Sequence, residues 1–407
     1  MKTKYIYAVF IMLFSAFSLF ILTRAKKQPE FSFVERTGTL DASGEWLNAK
    51  AAIQTLLVEI KKHPGNIKAK LSLALAYINE SRASGNHAYY DGAAMALLDE
   101  VLKKDENNFE ALCAKATLLL SQHHFSEGLK AGEKLVELNS YSAYAYGVMT
   151  DAYVELGNYN EAIKMADKMV SLRPDIRSYS RISYLREIFG DNQGAIEAMK
   201  MAVTAGIPGA EQTEWSRINL GKLYENTGKL KDAETTYRKA LFYRPQYAYA
   251  YAGLGRIEKM KLNYKEAENY FLNAKASMKD FSFSEELSDL YRYTKQHDKS
   301  SVELKECLDE LGANVQDESE SFHGHYADSE LAMVYLKAYN YTLALKHALT
   351  EYNRRPNNID INRTLAWVYY RRGNFEKADK HINKAMQTNS KNPELLYEAG
   401  LIKSSAG

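Results

Sequence analysis

The chain has 407 residues, 46% of them hydrophobic and 26% charged, with only 7 prolines and a formal net charge of +2 from 53 basic and 51 acidic residues. So much apolar material suffices for a large core and excludes a disordered chain, while the even charge balance lacks the basic excess a dedicated nucleic-acid binder uses on phosphates. Its 2 cysteines, Cys113 and Cys307, lie far apart in apolar helical patterns, which excludes a disulfide framework and CxxC metal spacing and reads as two buried, inert thiols.

The first predicted element is the N-terminal "MKTKYIYAVFIMLFSAFSLFILTRAKK". Lys2 and Lys4 precede an uncharged run from Tyr5 to Thr23, and Arg24, Lys26 and Lys27 close it. Such a run is long enough to cross a bilayer. Residues 1–27 are therefore expected to be a signal anchor or signal peptide, 28–44 a linker, and 45–407 an exported domain. The expected placement is extracytoplasmic, periplasmic or cell-surface, with residues 5–23 anchoring the chain and making its only membrane contact.

From Glu45 onward, helical runs alternate with short Gly, Asn or Asp turns. A first repeat from Ile67 carries the insertion "ESRASGNHAYYDG", and Leu112, Ala116, Leu119, Leu135 and Leu138 mark a weaker copy. Ala162 and Ala195 lie 33 residues apart, whereas Ala233 to Ala267 and Ala344 to Ala378 are each 34 apart, the period of a helix-turn-helix repeat. Weaker marks fall at Leu287, Tyr291 and Leu304, and the final full copy holds Leu365, Ala366, Tyr369, Gly373, Ala378 and Ala385. The helices near Trp46 to Lys62 and Pro393 to Lys403 read as half-repeat caps.

The fullest copy is "EWSRINLGKLYENTGKLKDAETTYRKALFYRP", Glu214 to Pro245. Small Gly221 and Ala233 let paired helices approach, Tyr224 and Tyr237 fill the space around them, Gly228 turns the chain, and Pro245 stops the second helix. This copy resembles the tetratricopeptide repeat (TPR), with Arg217 in the usual Trp place and Tyr237 in the Phe place. A looser likeness, through runs such as "LRPDIRSYSRISYLREIFGD", is to uncharacterised bacterial proteins of that family and implies no activity. The fold class implied is all-α, a right-handed α-solenoid of about eight to nine stacked helix pairs with capping helices.

The same frame explains "PQYAYAYAGLG", where Tyr247, Tyr249 and Tyr251 alternate with alanines as in a strand. Tyr251 takes the motif's aromatic place inside its own helix pair, Tyr249 lies some 200° round the helix, facing the inner groove, and Tyr247 belongs to the preceding loop.

Chemistry-bearing motifs are sparse. "QDESESFHGHYADSE" brings His323 and His325 near carboxylates, but H-x-H without a third positioned ligand reads as a solvated loop, and "QHHF" as an exposed polar turn. With no P-loop, GxSxG, HExxH or dinucleotide fingerprint, no catalytic residue, metal site or cofactor is assigned.

Function is expected from the concave groove. The family resemblance implies that the first helix of each pair lines it and that a peptide or partner protein lies along it. Those positions hold Tyr144 and Asp151; Arg177, Tyr184 and Glu187; Trp215, Lys222 and Glu225; Tyr249, Arg256 and Lys259; Asp289 and Arg292; then Tyr326, Trp367 and Tyr370. The expected role is a non-catalytic scaffold for an unidentified protein or peptide, without nucleic acid. Two alternatives are a metal-dependent enzyme using His323 and His325 and a nucleic-acid binder using Arg177, Lys222, Arg256 and Arg292.

Overall fold

A computed structural model describes residues 32–36, 44–315 and 324–406. The chain divides into two compact units, Met1–Val34 and Glu35–Gly407. In the first, only 32–34 are described, and they lie outside any helix or strand. The second is wholly α-helical among its described residues, with twenty helices.

A single helix, α1 (Gly44–Lys62), precedes the pairs. These are α2 (Ile67–Ser84) with α3 (His87–Lys104), α4 (Phe109–Ser121) with α5 (Phe125–Leu138), and α6 (Ala143–Glu155) with α7 (Tyr159–Leu172). Next come α8 (Ile176–Ile188) with α9 (Asn192–Ala205), α10 (Glu211–Asn226) with α11 (Leu230–Tyr243), and α12 (Ala248–Met260) with α13 (Tyr264–Ser277). Then follow α14 (Phe281–Tyr293) with α15 (His297–Val315), α16 (Asp328–Lys337) with α17 (Tyr341–Arg354), and α18 (Ile359–Arg371) with α19 (Phe375–Ala385), before a last single helix, α20 (Pro393–Ala406). Each pair packs on the next, the stacking of an α-solenoid.

Local chemistry explains the helix boundaries. Asn66, Asn108 and Ser142 cap α2, α4 and α6 by accepting a first-turn backbone N–H, and Asp175 with Ser178 closes a capping box on α8. The residue turning each of the nine pairs has positive φ. Five are glycines, Gly85, Gly157, Gly190, Gly228 and Gly373; the others are His123, Leu262, Lys295 and Tyr339. Inside the pairs the small residues are obligatory. Ala162, Ala195, Ala233, Ala267, Ala344 and Ala378 are all fully buried, and a Cβ on Gly221 would stand 2.3 Å from the Tyr237 ring. Tyr224 and Tyr237 belong to one buried cluster, as their motif positions predict. Cys307 is buried and Cys113 half-buried; both thiols are free, and burial pushes them up to about 12 and about 11.

The path of the pairs returns on itself, so that early parts of the stack meet parts about two hundred residues further on, six pairs away where both are pairs. The Arg244 guanidinium reaches Glu45 at 2.8 Å, 199 residues back. The Tyr326 N–H donates to the Gln122 carbonyl at 3.1 Å, and His124 Nε2–H donates to the Gly324 carbonyl at 2.8 Å. Arg355 pairs with Glu155, and Asn358 Nδ2 donates to the Glu155 carbonyl at 3.0 Å. A Cβ on Gly157 would lie 2.3 Å from the Asn357 carbonyl carbon, and one on Gly190 2.5 Å from the Asn389 oxygen. These contacts form a seam along the stack.

The expected membrane placement is corrected. No helix among the described residues is long and apolar enough to cross a membrane, because even the longest, α1 and α15, interleave Lys and Glu along their length, with Asp as well in α15. The anchor or signal at residues 5–23, on which the membrane contact and the extracytoplasmic placement rested, lies outside the described residues, and no helix among the described residues supports that placement.

Candidate functional site

The first helices of consecutive pairs line a concave channel of about 990 Å³. Tyr144 on α6, Arg177 and Tyr184 on α8, and Trp215 and Lys222 on α10 all face it, together with Arg82, Asp151, Arg181, Glu187 and Asn226. Five of the eleven expected groove residues thus share one surface. Tyr249 adjoins it through Trp215, their rings 5.0 Å apart and edge to face.

Charges on the first helices, in the channel and just beyond it, fall into engaged and available groups. Arg181 grips Asp151 through two hydrogen bonds of 2.8 and 2.5 Å, and Arg256 divides itself between Glu225 at 3.0 Å and Glu286 at 3.4 Å. Arg177 and Lys222, by contrast, are exposed and have no salt-bridge partner among the described residues. Arg177 lies 5.8 Å over the Tyr144 ring and Lys222 5.8 Å over Trp215. Although Lys222 is open to the channel, desolvation by the surrounding walls, followed by the nearby Arg256 charge, holds its ammonium below the usual lysine range. Trp215 and Tyr184 are 38% and 40% exposed, so large aromatic faces stand open beside two unpaired cations.

Several expected groove residues are already engaged. The Tyr249 hydroxyl donates to Asp280 at 2.8 Å and its ring packs on Phe283 at 5.6 Å, making it a half-buried structural side chain. Tyr144 donates to the Cys113 carbonyl at 3.1 Å and pairs with Thr117. Arg292 bonds Asp289 and donates to the Lys337 carbonyl at 3.3 Å. Tyr326 lies in the seam, its ring 4.0 Å from His124 and 3.9 Å beneath Arg354. Trp367 and Tyr370 stack on each other at 4.9 Å within α18, packed against the last buried cluster.

Sequence reasoning missed the seam residues. "QHHF", read as an exposed turn, is in fact enclosed: His124 is 2% exposed, and the His123 Nδ1–H donates to the Tyr326 carbonyl at 3.0 Å. Arg82 was also missed, since the insertion obscures its register. His323 lies outside the described residues, and His325 meets His123 instead, their rings 4.4 Å apart.

Two family models, each described as a tetratricopeptide repeat, match residues 143–176 and 218–280. Among solved structures, human IFIT1 in a dimer with PPP-AAAA is 14% identical over 85% of this chain and 80% of that one, with a TM-score of 0.51. A tetratricopeptide repeat protein from Parabacteroides merdae is 17% identical over 60% of this chain and 93% of that one, TM-score 0.46. The APC/C hetero-tetramer Cut9-Hcn1 is 14% identical over 88% of this chain, TM-score 0.46, and the chain spans only 59% of that longer protein. No curated protein matches. At such identities the likeness is one of fold.

Proposed function

We propose that this tetratricopeptide-repeat α-solenoid is a non-catalytic scaffold that binds an extended segment of a partner protein in its concave channel. The repeat family supports a generic protein- or peptide-binding role, and the juxtaposition in the channel makes it specific. Arg177 and Lys222 are exposed and free of salt bridges, Lys222 over the open face of Trp215 and Arg177 over Tyr144, in the channel that the open ring of Tyr184 also lines, while Arg181 and Arg256 are neutralised by carboxylates. Available cations next to aromatic faces suit backbone carbonyls and acidic side chains of a peptide, with the aromatics as anchors.

An array of peptides of varied charge, probed with the purified protein, tests this reading. Acidic-aromatic sequences should bind, and Trp215→Ala together with Lys222→Met should abolish the signal. Binding that survives both substitutions, or an array with no binder, would refute the assignment of the channel.

A further inference from the structure

Where α4 and α5 meet the segment leading into α16, three side chains from distant parts of the chain converge. His123 occupies the left-handed position of the α4–α5 turn, His325 lies just ahead of α16, and Glu330 sits in its first turn. One potential ligand atom from each lies within 4.8 Å of the other two. With Nδ1–H of His123 donated to the Tyr326 carbonyl, its Nε2 is the nitrogen left to bind a metal. We propose that His123, His325 and Glu330 form a site for one transition-metal dication, zinc by ligand preference, which clasps the seam between pairs six apart.

Four independent features support the site. Two imidazoles and a carboxylate are a borderline donor set that suits zinc rather than calcium or magnesium. Tetrahedral zinc with bonds of about 2.1 Å needs donors about 3.4 Å apart, so the present spacing, at most 4.8 Å, has to close by no more than about 1.4 Å. The His123 imidazole is also oriented from outside, by the Tyr326 carbonyl at 3.0 Å, as outer-shell partners fix a metal-binding histidine. Finally, Glu330 Oε2 is buried with no hydrogen-bond partner among the described residues, a costly condition for a carboxylate that a cation would relieve.

The surroundings fit. His325 and Glu330 line a cavity of about 230 Å³, which leaves room for water as a fourth ligand. His123 lies about two hundred residues from His325 in sequence, so a bound ion would join two stretches that only the fold brings together.

The purified full-length chain, stripped with EDTA and dialysed, is titrated with zinc sulfate by calorimetry, with thermal melts in parallel. The expected result is one zinc per chain and a zinc-dependent rise in melting temperature. Glu330→Gln preserves shape and should weaken zinc binding by at least about 10-fold, the low end of what outer-shell losses alone produce. His325→Ala should abolish binding. If His325→Ala does not fold, Glu330→Gln carries the test. The proposal is overturned if the wild type takes up no stoichiometric zinc, if Glu330→Gln binds it equally well, or if bound zinc does not raise the melting temperature.

Discussion

The Tyr159 hydroxyl accepts the backbone N–H of Ile359 at 2.8 Å, linking residues 200 positions apart. Ile359 opens α18, so this N–H is one of the donors a helix start leaves without an internal partner. Asn358 satisfies the next two N–H groups, of Asp360 and Ile361, at 2.9 and 3.0 Å. The helix is therefore capped partly by its own sequence and partly by a side chain of α7.

Tyr159→Phe keeps the ring and removes only the acceptor. It should destabilise the protein by about 1–3 kcal/mol, the cost of a buried N–H left unpaired. Urea unfolding checks this, with a lowered midpoint and unchanged slope expected.

Two turn glycines separate the strain of a turn from the closeness of the seam. Gly228 has φ +72° and open space where a Cβ would stand, whereas Gly157 has φ +78° and the Asn357 backbone 2.3 Å from that point. Gly228→Ala should cost about 1–2 kcal/mol for the left-handed conformation alone. Gly157→Ala should cost about 3–5 kcal/mol, since the seam must open as well. Equal losses on thermal unfolding would mean the seam contributes little.

Channel and core aromatics should respond differently. Trp215→Ala, at an open face, should weaken peptide binding by about 1–3 kcal/mol with little change in melting temperature. Tyr224→Ala empties a buried position and should cost about 3–5 kcal/mol of stability. Tyr249, held by Asp280 and Phe283, should behave like Tyr224 rather than Trp215. Paired melts and binding isotherms on the three variants would reveal any other order.

Acid should loosen the seam in metal-free protein. The folded values of His123 and His325, about 4, lie below the ordinary value of 6.5. Their stabilising contribution is thus complete above pH 6.5 and is lost as pH falls through 4. Each imidazole carries on the order of 1–3 kcal/mol, less than additively because the two interact. Burial raises Glu330, which works in the opposite direction and returns part of this on acidification. Melts in EDTA between pH 7 and pH 4 should fall less steeply for His325→Gln than for wild type.

The repeat was legible because its marks are local. Ala233, Gly221 and Tyr237 meet within one helix pair, and steric need dictates their size at fixed spacing. Positive-φ turns at Leu262, Lys295 and Tyr339 lacked a glycine to announce them. Trp215, Lys222 and Arg177 could be placed in the channel by position within the motif. What engages Arg256, Tyr326 or His123 could not be read in the same way, because Glu286, Gln122 and Glu330 reach them from other repeats. No periodicity within one repeat encodes a contact made six repeats away.

An open repeat array unfolds from its ends, each unit feeling only its neighbours. Bonds such as those of Glu45 with Arg244 and Glu155 with Arg355 change that statistical character. They raise the mean sequence separation of native contacts, which slows folding, since loops of about two hundred residues must close before the bonds reward closure. They also tie the fate of the early repeats to the late ones. Removing residues from 328 onward should therefore expose α4 to α7 to faster amide exchange, a response that a linear chain of nearest neighbours would not transmit so far.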